Sequence, residues 1–239
     1  MKLKIVLLGL LVTGTVFSQQ RPITQWAQRG VMVGKGRILF LALTNNVTLA
    51  YETQNCGLYM AWDGGLEDGN SFYDHQGGGN HGATIYPKGT VMHRQSSSNA
   101  DAITRAQETR GKTHTTPNTP PLKIWTLLNG NSEVNTTLDY RGYTMDNTAN
   151  TVTLMYHIKA GNNTIEVRET PNASGNAKTV TRNFVISGLP QGQTLRLKLD
   201  GESGSESWTA DGVGAVAAVG GKDHVTFSGN GNSTVVGNW

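Results

Sequence analysis

With 239 residues, only 15% of them charged, and 30 glycines, the chain is long enough to bury a sizeable core and too sparsely charged for a nucleic-acid binder. The formal charge of +3 falls to about +1 if Lys2 and Lys4 leave with a leader, and no basic stripe is left to meet phosphates. The single cysteine, Cys56, excludes an internal disulfide, and there is no C-x-x-C-H haem attachment motif.

In chain order, residues 1–19 read as a secretory signal peptide: Lys2 and Lys4 form a charged start, Ile5 to Val12 an apolar core, and Val16-Phe17-Ser18 a small-residue junction. The apolar core is too short to span a bilayer, and no later run suits a membrane helix. The mature product is therefore expected outside the cytoplasm, periplasmic or extracellular.

From Gly36 the pattern is strand-like: Arg37 to Leu43, a turn at Asn45-Asn46, Val47 to Tyr51, then Gly57 to Trp62. Asp63 to Gly82 carries loop chemistry, with Gly77-Gly78-Gly79 at its centre. Gln95 to Pro121 is the longest polar stretch, with one short helix expected over Asn99 to Thr109 and an extended Thr/Pro connector at its end. Strand rhythm then returns over Lys123–Leu128, Glu133–Gly142, Thr151–Lys159, Asn163–Thr170, Lys178–Ser187, Thr194–Asp200 and His224–Ser228. Gly201 to Gly221 is glycine- and alanine-rich and receives no assignment. The pattern predicts an all-β antiparallel sandwich with glycine-rich loops over residues 20–239, as one large unit or as halves 20–95 and 121–239 joined by a polar connector, 96–120.

Chemistry concentrates between Trp62 and Arg94. Trp62, Asp63, Tyr73, Asp74, His75, His81, His93 and Arg94 are the candidate ligand-binding residues. Aromatic faces beside acids and amides suit a sugar, whose C–H face packs on a ring while its hydroxyls take directional hydrogen bonds. The competing expectation is a solvated loop whose aromatics anchor it to the sandwich. Asp74, His75, His81 and His93 match no zinc spacing, and Asp63, Glu67 and Asp68 lack the alternation of a calcium loop, so no metal or cofactor is read.

Carboxylate pairs for glycoside hydrolysis exist on paper as Glu52 with Asp63 or Glu166 with Glu169. The second pair sits three apart on a strand and points to opposite faces, leaving Glu169 to pair with Arg182 or Arg168. No nucleophile elbow, P-loop or dinucleotide fingerprint occurs. Cys56 reads as a small core residue, and Trp26, Tyr51, Tyr59 and Trp125 as core or rim aromatics.

Trp26, Arg29, Gly36-Arg37-Ile38, Leu41-Ala42-Leu43, Ala50-Tyr51-Glu52-Thr53, Leu58-Tyr59, Trp62 and Gly64-Gly65 resemble a module attached to secreted bacterial sugar-oxidising proteins. The resemblance continues in Trp125, Tyr140-Arg141-Gly142-Tyr143, Ile165 to Pro171 and Thr181-Arg182-Asn183-Phe184. Those larger proteins join a quinone-dependent sorbosone or glucose dehydrogenase-like propeller to a c-type cytochrome domain, and this chain has neither part. The resemblance implies a β-rich accessory module in a carbohydrate setting, with carbohydrate or a secreted dehydrogenase or cytochrome as partner and no catalytic residues. Three functions are therefore expected in turn: a non-catalytic binding or docking module; a carbohydrate-active hydrolase or isomerase using Asp and His of residues 62–94; a structural envelope protein.

Overall fold

Short alternating segments and frequent turn residues produce strands and no helix among the residues that the computed structural model describes, which are 26–32, 35–43, 47–68, 85–95, 123–173, 179–201 and 206–239. The expected leader, the helix over Asn99–Thr109 and the connector 96–120 lie outside them. Every strand pairing is antiparallel.

The first part of the chain supplies β1 (Trp26–Met32), β2 (Lys35–Ala42), β3 (Val47–Glu52), β4 (Gly57–Asp63), β5 (Gly65–Asp68), β6 (Ile85–Lys88) and β7 (Val91–Arg94). Five of these make one sheet in the order β1-β2-β3-β4-β7, while β5 and β6 form a separate ribbon. The stretch after Asp63 was expected as loop throughout; Gly65–Asp68 is instead a strand, because β6 returns alongside to take its hydrogen bonds. Val47 to Glu52 is buried along its whole length, so this sheet is covered on both faces.

The later part supplies β8 (Trp125–Asn129), β9 (Ser132–Val134), β10 (Thr137–Asp146), β11 (Thr151–Ala160), β12 (Asn163–Ala173), β13 (Thr179–Ser187) and β14 (Gln193–Lys198). These are followed by β15 (Ser207–Ala210), β16 (Gly214–Val219), β17 (Lys222–Phe227) and β18 (Gly231–Asn238). A six-stranded sheet runs β10-β11-β12-β13-β18-β15, and a five-stranded one β16-β17-β14-β8-β9. The unassigned Gly201–Gly221 stretch thus contains β15 and β16, and the single strand expected over Glu133–Gly142 is divided between β9 and β10.

The two later sheets face each other across an aromatic centre. Trp125 on β8 lies 5.6 Å from the Tyr156 ring on β11 and 6.3 Å from Phe184 on β13, and Phe184 lies 5.3 Å from Phe227 on β17. This is sandwich packing, with alternate residues of each strand turned inward: Val152, Leu154, Tyr156 and Ile158 on β11; Ile165 and Val167 on β12. The first sheet lays Leu39, Leu41, Leu49, Tyr51 and Leu58 into the same core. Its other face forms a second cluster of Met32, Ile38, Phe40, Ala50, Met60 and Trp62.

Polar chemistry also crosses between sheets. Glu169, fully buried on β12, takes a bidentate pair of bonds from Arg182 on β13 (Nε 2.6 Å, Nη2 3.1 Å). It accepts two more, from Tyr51 on β3 (2.5 Å) and Tyr156 on β11 (2.7 Å). Four donors satisfy one carboxylate, and Arg182 stacks 5.1 Å over the Phe184 ring. The pairing expected for Glu169 with one of the two arginines is with Arg182, while Glu166 on the opposite face bonds Arg168 at 2.6 Å.

Candidate functional site

Of the eight candidate ligand residues, Tyr73, Asp74, His75 and His81 lie outside the described residues, and Trp62, Asp63, His93 and Arg94 fall on β4 and β7. These four do not converge. Trp62 was expected to offer a ring to a ligand; it is fully buried, edge-on to Phe40 at 6.3 Å, with Nε1 donating to the Gly65 carbonyl at 2.6 Å. The alternation of β4 turns Trp62 and Met60 onto the second cluster, so the ring holds the β4–β5 corner and presents no face to solvent.

Asp63 is exposed at that corner, where β4 turns at Gly64 (φ 102°) against Gly89 (φ 147°). A Cβ on either glycine would strike the backbone of the other turn, so the corner requires two residues without side chains. Asp63 pairs with Val47, whereas Glu52 sits at the far end of the hairpin opposite Gly57, five residues and about 17 Å along the strand. That separation is too long for a hydrolytic carboxylate pair, and Glu52 is engaged by Asn55 Nδ2 at 2.6 Å.

His93 leads to a different arrangement. β7 pairs with β4 through Ala61↔His93, which turns the imidazole toward the main core, only 2% exposed. Its Nδ1 lies 3.0 Å from Glu206 Oε1, and since a carboxylate only accepts, Nδ1 carries the hydrogen. The ring stacks on Trp239 at 5.8 Å and 27° and meets Trp208 edge-on at 5.6 Å, and the two indoles lie 5.8 Å apart.

Each member is placed by backbone. Trp208 on β15 pairs with Gly237 on β18, where a Cβ would collide with the indole. Gln95, two residues beyond His93 and on its side of the strand, bridges Gly201, whose missing side chain leaves room for the Glu206 carboxylate. The edge of the first sheet is thereby joined to the edge of the six-stranded sheet.

Three hydrogen-bond donors at this corner meet no acceptor: Gln95 Nε2, Trp208 Nε1 and Trp239 Nε1 are enclosed and unpartnered. Gln95 is 6% and Trp208 7% exposed, while Trp239 is half-buried and forms the accessible rim. A donor left without a partner away from water costs about 1–3 kcal/mol, and an acceptor oxygen placed against these three groups would remove that cost. The sequence pointed to His93 and missed Gln95, Glu206, Trp208 and Trp239. The available signal was two of five tryptophans in polar, glycine-rich surroundings, where packing alone does not call for a large ring.

Elsewhere among the described residues, Cys56 is buried and its thiol is pushed up to about 12, first by burial, then by the charges of Asp139 and Glu169. No group of three or more metal-ligating side chains occurs among the described residues. Compared with known protein families and with curated proteins, the chain matches none.

Proposed function

We propose that the chain is an exported, non-catalytic binding module that holds carbohydrate at the corner between β7 and β15 and serves a secreted sugar-oxidising partner. The observation that carries this reading is the set of three enclosed donors beside three packed aromatic rings and a carboxylate. Sugar hydroxyls supply acceptors for indole and amide N–H groups, and sugar C–H faces pack on aromatic rings. The leader pattern of residues 1–19 supports export, and the resemblance to accessory modules of sugar-oxidising proteins supports the setting.

The test is a glycan array probed with the protein beginning at Gln20, alongside Trp239→Phe. That variant keeps an aromatic ring and removes the N–H. Binding of soluble glycans that weakens in Trp239→Phe, with unchanged melting temperature, supports the reading. Failure of all glycans while a secreted dehydrogenase or cytochrome co-purifies replaces it with docking, and release of reducing sugar replaces it with catalysis.

A further inference from the structure

An open sheet ends in strands whose outer backbone N–H and C=O groups have no partner, and an unguarded edge pairs with another strand that meets it. Short length, charge, proline and bulges are the usual guards. β1 shifts its ladder between Gly30 and Met32 and exposes Arg29, and β7 is four residues long, shifts against Ala61 and Trp62, and ends in Arg94. β10 is broken between Tyr140 and Gly142 and carries Asp139, Arg141 and Asp146. β9 has three residues including Glu133, and β15 has four. The β5–β6 ribbon carries Glu67, Asp68, Pro87 and Lys88.

β16 has none of these guards. It is the outer strand of the five-stranded sheet and pairs with β17 over all six of its residues without a register shift. Its sequence, Gly-Ala-Val-Ala-Ala-Val, holds no charged or hydrogen-bonding side chain. Four of the six residues are exposed, Val219 by 37%, so no other described strand closes this edge. In an antiparallel pair alternate residues turn both backbone groups away from the neighbour, which leaves half of the β16 ladder open.

The strand that fits this edge is its own copy. A two-fold axis perpendicular to the sheet joins equal edges antiparallel and keeps inner face beside inner face. With the axis at Ala217, that residue meets its counterpart, Val216 lies opposite Ala218 of the second copy, and Val219 lies opposite Ala215. Each valine thus faces an alanine, and no bulky pair holds the backbones apart.

The charges of β17 permit the same seam. Cross-strand rows run from Lys222 through Val219 to Ala215 and Thr226 of the second copy, and from Asp223 through Ala218 to Val216 and Val225. Neither charge meets a like charge. The central row has His224 at each end, about 14 Å apart over three strand spacings, and burial holds that imidazole below its ordinary value, which favours the neutral form.

We infer that β16 is a self-association edge, at which two copies join their five-stranded sheets into one continuous antiparallel sheet. It does not rest on the reading of the His93 corner. A six-residue ladder buries less than a standard interface, so the dimer is weak, with a Kd of about 10 µM to 1 mM.

The experiment is sedimentation equilibrium of the protein beginning at Gln20, up to about 1 mM, on wild type, Ala217→Lys, Ala217→Asp and an equal mixture of the two variants. Each variant places like charges directly opposite across the two-fold, whereas the mixture places opposite charges there. The expected result is a wild-type mass that rises toward twice the monomer, association weakened at least about tenfold in either variant alone, and recovery in the mixture. Should the variants not fold, amide hydrogen exchange on wild type decides: protection within residues 214–219 should increase with protein concentration. The inference is overturned if wild type stays monomeric with exchange independent of concentration, if either variant associates as wild type does, or if the mixture of folded variants fails to recover.

Discussion

Glu169 shows what single residues do in this protein. Its carboxylate is fully buried yet accepts four bonds, so the charge that would be costly alone becomes a clasp between three strands of one sheet and β3 of another. Replacing Arg182 with Met should cost about 3–5 kcal/mol in urea denaturation, because it strands a buried carboxylate. The phenols of Tyr51 and Tyr156 are held well above their ordinary value of 10, first by burial and then by the Glu169 charge, and the Cys56 thiol is raised from 9.0 to about 12. A raised acid keeps its proton in the folded state while the unfolded chain releases it, so folding stability is full below the unfolded values and declines as pH rises through them. Stability should therefore fall progressively above about pH 9, with the Cys56 contribution gone near 12, and native Cys56 should resist thiol reagents at pH 8. Rapid labelling at that pH would place the thiol outside the core.

At the scale of elements, β18 explains most of what the sequence concealed. Gly-Asn-Ser-Thr-Val-Val-Gly-Asn offers only two apolar residues, yet it lies inside the six-stranded sheet between β13 and β15. It is held there by a full ladder to β13 and a four-pair ladder to β15, and its inward Gly237 lets Trp208 approach. Gly237→Ala should cost about 1–3 kcal/mol through overpacking against the indole, accompanied by a shift in tryptophan emission. Gly89→Ala should be worse tolerated, since its obstacle is the Asp63 backbone, which no rotamer change relieves. Equal stability of the two variants with wild type would contradict the close packing at both corners.

At the scale of the molecule, the main core draws from all three large sheets, and Trp125 stands at its centre against Tyr156, Phe184 and Phe227. Trp125→Ala should cost about 3–5 kcal/mol, and Trp62→Ala a similar amount, since both rings are buried. The shared core also couples the two parts of the chain. Unfolding in urea should thus give coincident transitions by circular dichroism and tryptophan fluorescence, with a β-dominated spectrum at the start. A fluorescence transition well ahead of the other would mean that the first sheet unfolds by itself.

What the sequence determined alone was set by local rules. Period-2 alternation fixed the all-β class and the long strands β11, β12 and β13, and the three-residue spacing of Glu166 and Glu169 sent them to opposite faces. Tyr51, Trp125 and Cys56 were legible as core because apolar residues on strands are ordinarily buried. β18 was not legible, since a strand short of apolar residues is defined by the partners that take its hydrogen bonds, and β1, β6 and β7 lack the clean alternation that marks a strand. The candidate site divided in the same way: His93 was visible as chemistry, but its neighbours Glu206, Trp208 and Trp239 lie more than a hundred residues away. Only the meeting of β7 with β15 and the end of β18 brings them together, and only burial turns Trp62 from a prospective platform into a core ring. Local alternation specifies a strand and its faces, whereas the positions of edges and corners follow from how whole sheets share one core.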